Sequence, residues 1–451
     1  MKLLVQPMCN MRNKIFQILV ALVLLFGTST VNGQEVYDLT RCILTGLERN
    51  YALQIVRNRE EISSNNFSPG NAGQLPTVSL TNRMGGTMNS SVQNPREGEQ
   101  VVNNGVHNTS GSMAATLGMN LFRGFQVKTT YEKLGELKQM GELNTQMSVE
   151  NLISRIVSEY NYYIQQLTLY HNLAYAVSLS RERVRIDEQR YLLGSSSKLQ
   201  LLQALVYLNA DSSRYARQTE VLNASQIRLN ELMASDDLSE AIIIQDTVIS
   251  IDETLVYEQL YASTVLNNTG LQIAAKNRYI TELDYKIIAS RAYPYLNFTT
   301  GYSYNYSGFE SGSMRNQQVR GMNYGLTLGI DLFDGLNRRR ERANAIIDQS
   351  NQQYAYQQIE MEITGDLLTI FYAYQNNLRL LKMEEQNLEV ARENLEIALE
   401  RYKLGSLSGI ELREVQKSLL DAEERLISVK YQTKLAEISL MQISGRILEY
   451  V

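Results

Sequence analysis

An eight-residue phrase occurs twice in the chain: RYLLGSSS at Arg190–Ser197 and RYKLGSLS at Arg401–Ser408. A second pair, LGMNLFRG at Leu117–Gly124 and LGIDLFDG at Leu328–Gly335, has the same spacing; 401 − 190 and 328 − 117 are both 211. Leu229 and Leu232 fall on Leu440 and Ile443 at that offset, so residues 117–234 and 328–445 align without a gap. Upstream, Leu53-Gln-Ile aligns with Leu271-Gln-Ile and Pro76 with Pro294, now at an offset of 218. The difference lies between Pro76 and Leu117, where Ser, Asn and Gly are abundant. Repetition on this scale predicts two copies of one unit. Each has a helix, a proline, a variable segment, a Leu-Phe-x-Gly stop and two long helices.

The variable segments read as hairpins. From 322 to 332 the even positions are Met322, Tyr324, Leu326, Leu328, Ile330 and Leu332, against Asn323, Gly325, Thr327, Gly329 and Asp331. This period of two gives a strand with two different faces. Residues 296–306 alternate likewise through Leu296, Phe298, Tyr302, Tyr304 and Tyr306. The first unit repeats the pattern with Val78, Leu80 and Met84, then Met113, Ala115, Leu117, Met119 and Leu121. Polar loops are expected at 85–111 and 308–321. Four strands of about ten residues with aromatics on the apolar side suit a transmembrane barrel. A water-soluble antiparallel sheet covering a core is the other reading. Four strands cannot close alone, so a barrel requires several chains.

The rest reads as helix. Residues 124–193, 195–235, 336–404 and 406–445 contain no proline. In the last of these, Leu412, Val415, Leu419, Ala422, Leu426, Val429, Thr433, Ala436, Leu440 and Ile443 alternate steps of three and four, the spacing of a coiled-coil seam. Leu388, Ala391, Leu395, Ala398 and Tyr402 continue it upstream. A helix over 336–404 would be roughly 100 Å long and must pack against partners. Residues 236–254, with the β-like run Ile242–Ile249, read as a linker or small side domain.

Composition narrows function by exclusion. Arg12 and Lys14 precede the apolar run Ile15–Phe26, and Val31-Asn32-Gly33 offers a small-residue cleavage point, so residues 1–33 read as a secretory signal. Met11 serves as well as Met1 as a start. Lys2, Arg12 and Lys14 are the only charges before Glu35, so losing that segment moves the formal net charge from −5 to −8. So acidic a chain is unsuited to nucleic acid. Cys42 would then be alone, without an internal disulfide. His107 and His171 have no ligand spacing around them, so no metal or cofactor is expected, nor is any nucleophile, base or GxxxxGK[ST] loop recognisable. The chain reads as not an enzyme. No 18-residue apolar stretch follows the signal, so any membrane insertion would use strands.

The duplicated unit resembles the TolC-like outer-membrane efflux proteins. The resemblance covers almost all of the expected mature chain. It rests on the proline before each first strand, Leu-Phe-x-Gly after each second, Tyr-x-x-Gly in each helical region, and the pair Asn50-x-x-Leu53 and Asn268-x-x-Leu271. It implies a mainly α fold with a β-barrel portion. Residues 34–235 form the first repeat, with a hairpin at 75–122, and 255–451 the second, with a hairpin at 293–333. Three chains, each giving four strands, would build a twelve-stranded barrel above a tunnel of helical hairpins. The resemblance further implies an exit duct of a tripartite efflux or type I secretion system in a Gram-negative outer membrane. Its partners would be two further copies, outer-membrane lipid, a periplasmic adaptor (membrane fusion) protein and an inner-membrane pump of the RND or ABC type.

In such channels the Tyr-x-x-Gly segments mark the turns at the periplasmic tip. Arg190, Tyr191, Leu193, Gly194 and Ser195, and Arg401, Tyr402, Leu404, Gly405 and Ser406, are thereby candidate adaptor-docking residues, or structural turns alone. Acidic residues that ring the closed entrance map onto Glu411 and Glu414, with Gln200 and Gln203 at the neutral positions of the first repeat. Equally, Glu411 and Glu414 read as a solvated helix face, and Arg413 between them as the partner of a neighbour. A surface or periplasmic coiled-coil adhesion protein is the rival reading, although it leaves the two-faced strands without a use.

Overall fold

The computed structural model describes residues 36–451. The expected signal, 1–33, lies outside the described residues. In chain order the strands are β1 (Val36–Tyr37), β2 (Thr77–Gln93), β3 (Val101–Arg123), β4 (Ile243–Ile244), β5 (Tyr295–Gly308) and β6 (Asn316–Gly329). The helices are α1 (Leu39–Arg49), α2 (Tyr51–Asn66), α3 (Gln126–Leu192), α4 (Lys198–Met233), α5 (Tyr257–Asn267), α6 (Thr269–Ser290), α7 (Asn337–Lys403) and α8 (Gly409–Ile443). The order helix, helix, hairpin, long helix, shorter helix therefore occurs twice. Both α3 and α7 have 67 residues, about 100 Å at 1.5 Å per residue.

Strands β2, β3, β5 and β6 form one antiparallel sheet in that order. Its register lines up the alternating apolar positions in rows. Leu80 pairs with Ala115, Ala115 with Tyr302 and Tyr302 with Met322; Met119 pairs with Phe298 and Phe298 with Leu326. A slip of one residue on any strand would turn its apolar set to the other face. Among the described residues nothing covers this face: Met84 is 84% exposed, Tyr324 82% and Leu328 73%. Among them, too, the outer edges of β2 and β6 have no strand partner. The strands run to 14–23 residues and the connections shrink to 94–100 and 309–315, a correction to the expected loops at 85–111 and 308–321. The extensions are mostly polar, with Met88, Val92, Val101, Val102 and Val106 scattered among them, so the alternation is weak there. Backbone pairing such as Gly86 with Thr109 and Asn89 with Val106 continues regardless.

The Asn-x-x-Leu pair explains itself at the start of α2 and α6. Asn50 caps α2 by accepting from Leu53 N at 3.2 Å while its amide donates to Leu232 O at the end of α4, 3.1 Å away. Asn268 does the same for α6 with Leu271 N, 3.0 Å, and Ile443 O, 2.9 Å, at the end of α8. One asparagine thus breaks the helix that the sequence suggested as continuous, restarts it, and ties it to the end of the shorter helix of its own unit.

Residues 236–254 complete a girdle around the middle of the long helices. β4 pairs in parallel with β1, Ile242 and Ile249 enter the core beside Ile153, Ile156, Leu229 and Met233, and Asp246 accepts from Tyr160 OH at 2.7 Å. Glu437 is buried with Lys434 at 2.7 Å and accepts from Asp252 N and Tyr450 OH, which fixes the far end of the segment. Cys42 is buried in this core, and burial pushes its thiol up to about 12. Among the described residues no helix is long and apolar enough to cross a membrane.

Candidate functional site: the paired helix tips

The repeated phrase is a helix stop and restart. At the end of α3, Gly194 adopts φ +72; its N–H donates to Tyr191 O and Ser195 N–H reaches Arg190 O at 2.8 Å. At the end of α7, Gly405 adopts φ +78, with the same bonds to Tyr402 O and from Ser406 N to Arg401 O, 2.9 Å. This is a Schellman closure, and its left-handed residue favours glycine. Ser195 and Ser406 return their hydroxyls to the same arginine carbonyls at 3.0 Å. The last serine of each phrase, Ser197 or Ser408, then caps α4 or α8. Every recurring polar letter after the tyrosine therefore has a backbone task. The apolar letters do not: Leu193 and Leu404 project into solvent, each 82% exposed, and Tyr191 is exposed beside them.

The two tips are clipped together by Arg190 and Tyr402, residue types both copies carry, and by Asp187, Asp211 and Arg413, which differ between the copies. Arg190 donates to Tyr402 O and lies over the Tyr402 ring, 4.7 Å from its centroid. Tyr402 is buried and gives its hydroxyl proton to Asp187 Oδ1; burial first, and then this bond, pushes its phenol up to about 12. Further from the tips, Arg413 makes a two-pronged pair with Asp211 at 2.6 and 2.8 Å, and Ser180 Oγ donates to the same carboxylate. Arg183 and Arg413 sit over the Tyr207 ring at 5.1 and 5.0 Å. Asp211 is fully buried and Asp187 nearly so, and these charges are held by partners from α7 and α8. A cleft of about 660 Å³ opens between the tips, with Arg183, Arg190, Gln200, Gln203 and Leu407 on its walls.

The sequence singled out Arg190 and Tyr402, which are brought into contact, but not Asp187, Asp211, Arg183 or Tyr207. A signal existed. At the spacing of the repeat, Ala391, Ala398 and Ala422 occupy the positions of Ser180, Asp187 and Asp211. The α7–α8 seam is a packed apolar core of Leu388, Leu395, Ala398, Leu412, Leu419 and Ala422, whereas the α3–α4 seam is polar here. Leu202 stands where α8 has Arg413.

The expected gate residues take separate positions. Glu411 closes a capping box: it accepts from Ser408 N at 2.9 Å while its own N–H reaches Ser408 Oγ at 3.2 Å. The backbone bond from Ser408 holds its carboxyl below the usual carboxylate range. Glu414 is exposed, and Arg413 between the two acids turns to Asp211. Gln200 accepts from Ser196 Oγ and Gln203 is half-buried beside the cleft. Among the described residues no group of His, Cys, Asp and Glu is placed to hold a metal ion.

This fold is shared by solved outer-membrane channels. The CmeC outer membrane channel of Campylobacter jejuni superposes with a TM-score of 0.77 at 16% identity, over 90% of this chain and 85% of that one. A membrane protein from Pseudomonas aeruginosa gives 0.74 at 17% identity, over 90% and 93%. VceC from Vibrio cholerae gives 0.70 at 15%, over 90% and 96%. No curated protein matches the chain in sequence. Residues 260–446, most of the second repeat, match the family model described as outer membrane efflux protein.

Proposed function

We propose that the chain is the outer-membrane exit duct of a tripartite efflux or type I secretion system, working as a homotrimer whose twelve strands close one barrel. The observation that carries this reading is the sheet. Its two outer edges are unpaired and its apolar face is bare, a combination that is unstable in water and is resolved by closure with further copies in lipid. The helices below form the periplasmic tunnel. An inner-membrane pump of the RND or ABC type supplies the energy, and a periplasmic adaptor docks on the exposed tip residues Tyr191, Leu193 and Leu404 around Gly194 and Gly405.

Transport here is conduction through a gate. The clip between the tips, Asp187 with Tyr402 and Asp211 with Arg413, holds the closed arrangement, and docking separates the two helix pairs. Glu411 and Glu414 of three chains add six carboxylates around the entrance and favour cations there. Fractionation tests the first statement: heat-modifiable trimers in the outer membrane are expected, and a soluble extracellular filament overturns the reading in favour of an adhesion protein. For the gate, Glu411→Ala with Glu414→Ala raises single-channel conductance and weakens divalent-cation block in planar bilayers. Unchanged traces return both residues to a solvated helix face.

A further inference from the structure

Where β6 gives way to α7, a cleft of about 520 Å³ opens between the end of α6 and the start of α7. Leu332, Phe333 and Leu336 form an exposed apolar wall, and Arg338, Arg339 and Arg342 line the other side. Arg338 is matched by Asp334 at 3.1 Å, and the neighbouring Glu341 is taken by Arg291 at 2.8 Å. Arg342 has only the neutral Tyr285, whose hydroxyl accepts at 3.3 Å. Arg339 has no partner among the described residues. Asp331, the remaining acid of this stretch, pairs with neither and is not part of the wall. Two guanidiniums without a counter-charge thus face bare apolar side chains. They also stand in the first turns of α7, where the helix dipole opposes cations.

The first repeat lacks this arrangement. At the repeat spacing, Val127, Lys128 and Tyr131 replace Arg338, Arg339 and Arg342. There Phe67 stacks on Tyr131 at 4.7 Å, and Phe122 meets Phe125 edge-on at 5.3 Å, so aromatic rings occupy the corresponding groove. In the second repeat the apolar face of β6, Leu326, Leu328 and Ile330, runs directly down to Leu332 at the cleft.

We propose that this cleft binds the headgroup of an anionic phospholipid from the periplasmic leaflet. Arg339 and Arg342 take the phosphate, and an acyl chain lies along Leu332 and Phe333. Guanidinium forks suit phosphate oxygens, and basic pockets beside spanning elements attract anionic lipid. The proposal rests on the membrane insertion of the strands argued above.

The test uses the purified full-length oligomer, delipidated and supplied with phosphatidylglycerol or phosphatidylcholine of identical acyl chains, with retained lipid counted by native mass spectrometry. Phosphatidylglycerol is expected to be retained about tenfold over phosphatidylcholine. Arg339→Gln with Arg342→Gln, both exposed positions, removes that preference while the oligomer and phosphatidylcholine retention persist. Lys128→Gln, the first-repeat counterpart, leaves it intact. Equal phosphatidylglycerol retention by wild type and double variant overturns the site. Displacement by millimolar inorganic phosphate reassigns it to a free anion and overturns the lipid; no displacement supports the lipid. Retention of neither lipid overturns the membrane reading as well, whereas equal retention of both overturns the cleft alone.

Discussion

The Asp211–Arg413 pair offers the most direct test of the clip. Asp211 has no solvent exposure and Arg413 is its two-pronged partner across the two helix pairs. Arg413→Leu leaves a buried carboxylate with only the Ser180 hydroxyl, at 2.5 Å, to answer it. Losing one member of a buried pair costs about 3–5 kcal/mol. In the proposed gate that cost falls on the closed arrangement, where Arg413 of α8 reaches Asp211 of α4. At roughly 1.4 kcal/mol per tenfold, the closed-to-open ratio drops by about two to three orders of magnitude. The repeat supplies the control. Asp211→Ala with Arg413→Leu installs the residues that the opposite repeat carries as Ala422 and Leu202, exchanging the pair for an apolar contact. Such exchanges are near neutral or stabilising, so the double variant recovers most of the loss, with a coupling of at least about 2 kcal/mol in the cycle. Planar-bilayer recordings read open probability, and hydrogen exchange across α4 and α8 reads the local opening. If Arg413→Leu is as closed as wild type, or if the double variant is no better than the single, the pair does not hold the tips.

Three further outcomes follow from the same geometry. Gly405→Ala forces an alanine into φ +78, at a cost of about 1–2 kcal/mol, and speeds hydrogen exchange in the first turn of α8 by roughly 5–30-fold; an unchanged rate removes the left-handed requirement. Because Glu411 is depressed below its ordinary 4.5 in the folded chain, its capping contribution is complete above that value and is lost as pH falls through the lower folded one. Exchange at Ser408–Leu412 therefore rises only in that acid window, and Glu411→Gln abolishes the dependence. On the sheet, Leu328→Arg places a charge on the exposed apolar face, at about 2–4 kcal/mol if that face meets mid-bilayer lipid, and blocks assembly of heat-modifiable oligomers. Thr327→Arg, on the opposite face, assembles normally; equal behaviour of the two refutes the assignment of faces.

The sequence was most legible where one side of an element is buried and the other is wet. The seam Leu412 to Ala422 assigned its buried face correctly, because burial selects residue type at a fixed period, and the alternation from Met322 to Leu328 marked the residues that the sheet register lines up in rows. Strand length was not legible. From Gly86 to Gln93 and from Val101 to Thr109 the residues are mostly polar with only scattered valines and Met88, so backbone pairing carries most of the hairpin, and backbone pairing leaves no mark on side-chain choice. The break at Asn50 was visible only as a motif; its reason, a bond to Leu232 O, lies 182 residues away.

The tips show why a functional site is harder to read than the fold beneath it. A lone Asp187 on a long helix looks like solvated surface, because the spacing that marks a seam is defined by apolar residues. Its burial depends on Tyr402, 215 positions later, and that of Asp211 on Arg413, 202 positions later. Within one sequence the missing information sat in the other copy, where Ala398 and Ala422 mark the same positions as core. Where two copies of one unit have equivalent positions, a charge facing an alanine is a buried charge in search of a partner. Here the other copy supplies Tyr402 for Asp187 and Arg413 for Asp211, beside Arg183 and Ser180 of the same copy. Such unequal substitution leaves the tips of the two helix pairs joined by side-chain contacts that each pair could not make alone. Under the proposed gating, docking at the ends would release contacts of that kind while the girdle around Ile153 and Leu229 stays packed.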